Sequence, residues 1–78
     1  MKTRSIPSAL VIGRRVLLRI GGRQYAMDQT ALRRLLGLPD GPSGVGITID
    51  HDRLHFEFPA DKQAVKISAT QLYRRLAK

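Results

Sequence analysis

The chain reads as a small α+β domain, on three observations. Apolar residues alternate over short runs, which is the period of strands. Two further stretches carry apolar residues three and four apart, which is the period of helices. Gly, Pro and Asp clusters separate these stretches at close intervals. The predicted order is ββα then ββ(β)α: two β-hairpins, a further short strand and two short helices, with the helices packed on a small sheet. Seventy-eight residues suit one domain.

Residues 1–8, with Pro7, are expected as a flexible basic arm, and 9–78 as the domain. Ser8 to Gly13 is apolar but too short for a membrane span, and Arg14-Arg15 stops it. No small-residue cleavage pattern follows, so it is not read as a signal peptide. Val16, Leu18 and Ile20 alternate with Leu17 and Arg19. Gly21-Gly22 then offers a two-residue hairpin turn, because glycine tolerates positive φ. That turn pairs Ile20 with Arg23, Leu18 with Tyr25 and Val16 with Met27. One face is then Val16, Leu18, Tyr25 and Met27, and the other carries Arg15, Arg19 and Gln24.

Asp28 reads as a helix N-cap, and Ala31, Leu32, Leu35 and Leu36 as the apolar side of the helix it opens. Gly37 closes that helix and Pro39 prevents its continuation. Asp40-Gly41-Pro42-Ser43-Gly44 is loop. Val45, Ile47 and Ile49, then Leu54, Phe56 and Phe58, form a second hairpin around His51-Asp52. Ala64 to Ile67 is a short strand, and Ser68-Ala69-Thr70-Gln71 is a capping box. Ala69, Leu72, Tyr73 and Leu76 are the buried side of the last helix. Tyr25 to Leu32 weakly parallels Val65 to Leu72, an echo that shared topology or a duplication would produce.

Charge divides the chain. Residues 1–36 hold eight Lys/Arg and one acid, Asp28, while 37–78 hold six Lys/Arg and five acids, of a formal net charge of +8. A localised basic surface attracts polyanions. The near-neutral second half is expected to supply the core through Ile47, Ile49, Leu54, Phe56 and Phe58. A domain near this size buries only about 60% of its unfolded surface. With no cysteine for disulfides or structural zinc, a homodimer is the expected staple, and a reducing, cytoplasmic setting is the expected compartment.

No catalytic constellation stands out. Asp50-His51-Asp52 and His55 hold metal-ligating residue types, but turn chemistry and a solvent-facing strand residue account for them; no metal or cofactor is expected. His55, Glu57 and a nearby arginine remain an alternative site for a small ribonuclease or toxin. The glycines at 41, 44 and 46 have no following helix to form a phosphate loop. All four aromatic residues fall on core faces, against a stacking platform for single strands. The arginines remain. Arg15 and Arg19 lie on the hairpin's polar face, Arg33 and Arg34 on the flank and back of the first helix, and Arg23 nearby. These five are the expected nucleic-acid-binding residues, since guanidinium groups bind phosphate bidentately and read guanine edges. Arg74 and Arg75 read as a solvated helix face.

Leu32-Arg33-Arg34-Leu35-Leu36-Gly37-Leu38, Gly46 to Leu54 and Gly22-Arg23 carry a family pattern. From Arg15 to Phe58 the chain resembles the AbrB-like swapped-hairpin DNA-binding domains. It departs from them at Met27-Asp28, where that family has Ile-Pro, in a longer loop after Leu38, and in its last strand and helix. The resemblance implies an interleaved homodimer presenting arginines to duplex DNA, as a transcription regulator or antitoxin. The alternative is a non-enzymatic protein-binding module, a small inhibitor or adaptor of phage or mobile-element origin, docking on an acidic protein.

Overall fold

The structure, a computed structural model, describes residues 6–77. Its elements are β1 (Ser8–Ile12), β2 (Arg15–Ile20), β3 (Arg23–Asp28), α1 (Gln29–Leu35), β4 (Gly46–Asp50), β5 (Arg53–Phe58), β6 (Gln63–Ser68) and α2 (Ala69–Leu76). The fold is α+β, with two three-stranded antiparallel sheets, β1-β2-β3 and β4-β5-β6, and one helix after each. No helix among the described residues is long and apolar enough to cross a membrane.

Both predicted hairpin registers are present. Ile20 pairs with Arg23, Leu18 with Tyr25 and Val16 with Met27. Ile47 pairs with Phe56 and Ile49 with Leu54. Gly21 and Gly22 have φ of 61° and 78°, the positive values that a two-residue turn needs to match the twist of its strands. The last strand and helix are where the sequence puts them, and the Ser68/Gln71 capping box is formed. Gly37, at φ 78°, closes α1: Leu38 N–H donates to the Arg33 carbonyl and Gly37 N–H to that of Arg34.

Three expectations are corrected. Of the expected arm over 1–8, residues 1–5 lie outside the described residues; Pro7 is buried and Ser8 opens β1. Ser8–Ile12 is a full strand on β2, its Leu10 facing Leu17, because Gly13 at φ 59° turns the chain back before Arg15. The buried face of α1 is also rotated: Gln29, Leu32 and Arg33 are buried, with Leu36 following, and Ala31 is exposed. Finally, both halves build the core. Val16, Leu18, Ile20, Leu32 and Leu36 join Leu54, Phe56, Phe58, Ile67 and Leu72, while Ile47 and Ile49 are only half-buried.

The element order βββα therefore occurs twice. Arg15 of β2 corresponds to Arg53 of β5, an offset of 38, and Gln29 of α1 to Ala69 of α2, an offset of 40. The difference lies in one turn: Gly21-Gly22 in the first half, Pro59 to Lys62 in the second. Helix entry is built alike. Gln29 N–H donates to the Arg14 carbonyl at 3.1 Å, and Ala69 N–H to the Asp52 carbonyl at 2.6 Å. Those carbonyls belong to the β1–β2 and β4–β5 turns, so each helix starts on the turn of its own sheet.

Candidate binding surface

Strand pleat sorts the first sheet into two faces. Val16, Leu18 and Ile20 point to the core, where α1 lies against β2 and β3. Arg15, Leu17 and Arg19 point to the other, outer face. The register lays that face out in rows: Ser8, Arg19 and Gln24; then Leu10, Leu17 and Ala26; then Ile12, Arg15 and Asp28. An apolar middle row thus has one arginine on each side of it. Arg15 and Arg19 are four residues apart on one strand, about 13 Å.

The arginines here are not neutralised by an ion pair among the described residues. Among the described residues neither Arg15 nor Arg19 has an ion pair. Asp28 faces Arg15 in register, but one of its carboxylate oxygens accepts the Ala31 N–H at 2.8 Å as the cap of α1. Arg23, just past the glycine turn, and Arg14, in the β1–β2 turn, are exposed at opposite ends of the sheet. Arg14 Nε donates to Ser43 Oγ at 3.3 Å.

Arg33 belongs to a different structure. Only 1% of it is exposed. Its two terminal nitrogens donate to the two Asp61 carboxylate oxygens, each at 2.8 Å, and also to the carbonyls of Pro39 and Pro42, each at 3.2 Å. The guanidinium lies 4.5 Å from the centre of the Phe58 ring, in cation–π contact. Nε of Arg33 is buried with no partner among the described residues. The Asp61 hydrogen bonds hold the Arg33 pKa above its ordinary range against the opposing effect of burial, and the same bonds hold the Asp61 carboxyl below the usual carboxylate range. This arginine ties α1 and the loop after it to the β5–β6 turn, and is withdrawn from the expected surface. Gln29, one helical turn earlier, completes the tie: its amide donates to the Gly13 carbonyl at 3.1 Å and accepts the Gly44 N–H at 2.7 Å.

Gly41 makes room for the tie. A Cβ there would sit 2.5 Å from an Arg33 terminal nitrogen and 2.9 Å from an Asp61 oxygen. A cleft of about 140 Å³ beside it is lined by Arg14, Asp28, Gln29, Thr30, Arg33 and the 41–43 loop.

Arg34 is exposed and 3.9 Å from Asp40. It sits on α1, the layer on the core side of the first sheet, so it does not share the outer face with Arg15 and Arg19. The five arginines read from sequence therefore divide into Arg15 and Arg19 together, Arg23 at their edge, Arg34 apart and Arg33 inside. Arg75, expected as solvated, donates to the Leu35 carbonyl at 3.0 Å and satisfies the C-terminal end of α1.

On the second sheet, His55 is half-buried and Glu57 exposed, two residues apart on the outer face, with Thr48 and Lys66 beside His55 in register. His51 is turned into solvent at φ 57° and meets Asp50 at 2.9 Å. No group of three or more metal-ligating side chains converges among the described residues.

The residues that sequence reasoning missed are the outward apolar ones. Leu10 and Ile12 are 55% and 57% exposed. Ala9 to Ile12 is a continuous apolar run with no alternation, and without β1 there was no register to show which way its residues faced. No family model, curated protein or solved structure matches the chain.

Proposed function

We propose that this chain is a non-enzymatic binding module that holds duplex DNA against the outer face of its first sheet. The observation that carries the reading is the pair Arg15 and Arg19: exposed, without ion pairs among the described residues, and about 13 Å apart on one strand. That spacing is close to the roughly 12 Å width of the DNA major groove. Antiparallel strands are a known means of entering a groove. Arg14 and Arg23 extend the charge past both ends of the strand. A role as a transcription regulator or antitoxin, acting as a homodimer, goes with this reading through the swapped-hairpin resemblance.

The test is a fluorescence titration of duplex DNA at several salt concentrations. The log–log slope is expected to be about −0.9 per phosphate neutralised. Arg19→Ala is expected to weaken binding to all duplexes and reduce the slope by about 1. Absence of binding at low salt overturns the proposal. A second reading, a protein-binding module, is favoured by one specific observation, the apolar row between the two arginines.

A further inference from the structure

The duplicated order allows the two sheets to be compared position by position. Leu10, Ile12, Leu17 and Ala26 face outward on the first sheet. Their counterparts on the second sheet are Thr48, Asp50, His55 and Lys66. All four outward apolar positions of one sheet are polar or charged in the other, so the fold itself needs no apolar residue there. The strands differ in the same sense. In β4, Ile47 and Ile49 pack on the core between Gly46, Thr48 and Asp50, the alternation of a strand covered on one face. In β1, Ala9-Leu10-Val11-Ile12 is unbroken, the pattern of a strand covered on both faces. Yet Leu10 and Ile12 are more than half exposed.

The far edge of β1 is taken, because β4 lies against it. A partner therefore comes onto the face, and the layout of the face gives its shape. Leu10, Leu17 and Ala26 run straight across the three strands, a span of about 10 Å. Arg15 and Arg19 stand about 7 Å to either side of Leu17. A helix with its side chains is about 10–12 Å across, and its positions i, i+4 and i+7 span about 10 Å along one side. We infer that this row docks an acidic amphipathic helix of a partner protein, laid across the strands between the two arginines. The apolar stripe of that helix covers Leu10, Leu17 and Ala26, and Ile12 adds to the contact beside β1. Carboxylates on its two flanks meet Arg15 and Arg19, which take them bidentately. Charge selects against the other occupants. Both arginines are on the central strand, so a second copy stacked about a two-fold along or across β2 sets arginine over arginine. An anionic bilayer, being broad, brings its phosphates to Asp28 at the corner of the same face. The inference rests on the protein-binding reading of the apolar row and not on the DNA reading.

The probe is an end-blocked, hydrocarbon-stapled helix of about four turns, with leucine at i, i+4, i+7 and i+11 and glutamate on both flanks. Serine-for-leucine and lysine-for-glutamate versions are the controls. The full chain is expected to bind the first peptide and neither control, with amide shifts centred on Leu10, Leu17 and Ala26 in NMR spectra. The double variant Leu10→Thr/Ala26→Lys places on the first sheet the residues that the second sheet carries at the same positions, so the fold tolerates them. It is expected to bind the peptide at least about tenfold more weakly while keeping or strengthening DNA binding. Loss of the DNA result alone overturns the proposed function and leaves this inference standing. Equal binding of either control, or no binding of the glutamate peptide, overturns the inference. So does a homodimer that the double variant dissociates, or binding to phosphatidylglycerol vesicles that the double variant abolishes.

Discussion

Arg33 shows how much a single residue's meaning depends on helix phase. Taken with Arg34, it looks like half of a basic step on a helix surface. Taken with Gln29, Leu32 and Leu36, it occupies the i, i+3, i+4, i+7 stripe that faces a core. The stripe was present in the sequence, but two of its four members are polar, so apolar residues alone gave a phase one position away. Nothing local names Asp61 as the partner, which is 28 residues distant. The pair also sets a pH dependence. Asp61 is held below the ordinary aspartate value of about 3.9, so its contribution is fully present above that value. It is lost as pH falls through the lower folded value. Thermal melts of the wild type are therefore expected to lose stability below about pH 4, and Asp61→Asn to be less stable at neutral pH with a flatter acid limb. Parallel acid limbs in the two proteins would remove Asp61 from this role.

At the scale of elements, local chemistry was the most legible. The Gly21-Gly22 turn, the Asp28 cap, the Gly37 closure and the Ser68/Gln71 box each depend on neighbouring backbone groups, and each was readable from neighbours alone. The strand β1 was not, because Ala9-Leu10-Val11-Ile12 has no polar alternation and Arg14-Arg15 resembles a terminator. Its strand character comes from pairing with β2, a tertiary property. Helix α1 is only seven residues long, so its cap should matter. Asp28→Ala is expected to cost about 1 kcal/mol in denaturant unfolding, with the slope m unchanged. An unchanged midpoint would show that the Arg14 carbonyl and tertiary packing hold the helix start without the cap.

For the whole molecule, uneven charge suggested a binding half and a packing half. The structure keeps the charge asymmetry but not the division of labour, since each half contributes five residues to the buried core. Contacts also cross between the halves. Arg33 on α1 reaches the β5–β6 turn, while Tyr73 at the matching position of α2 lies against Gly21 in the β2–β3 turn, where a Cβ would come within 3.3 Å of its ring. Each helix packs on its own sheet and sends one side chain to the other half's hairpin turn. One cooperative transition is therefore expected in calorimetry. A fragment ending at Gly44 is expected to be unfolded by circular dichroism. A folded fragment would mean that the halves are independent.

The four-residue turn that carries Asp61 has a consequence for anyone symmetrising this fold. A perfect tandem of the first half would bury an arginine twice and supply no carboxylate to either, because Gly21-Gly22 stands where Pro59 to Lys62 stands in the other copy. A tandem of the second half would put tyrosine at both positions and bury no charge at all. The buried pair therefore exists only because the halves differ, the arginine coming from one and the carboxylate-bearing turn from the other.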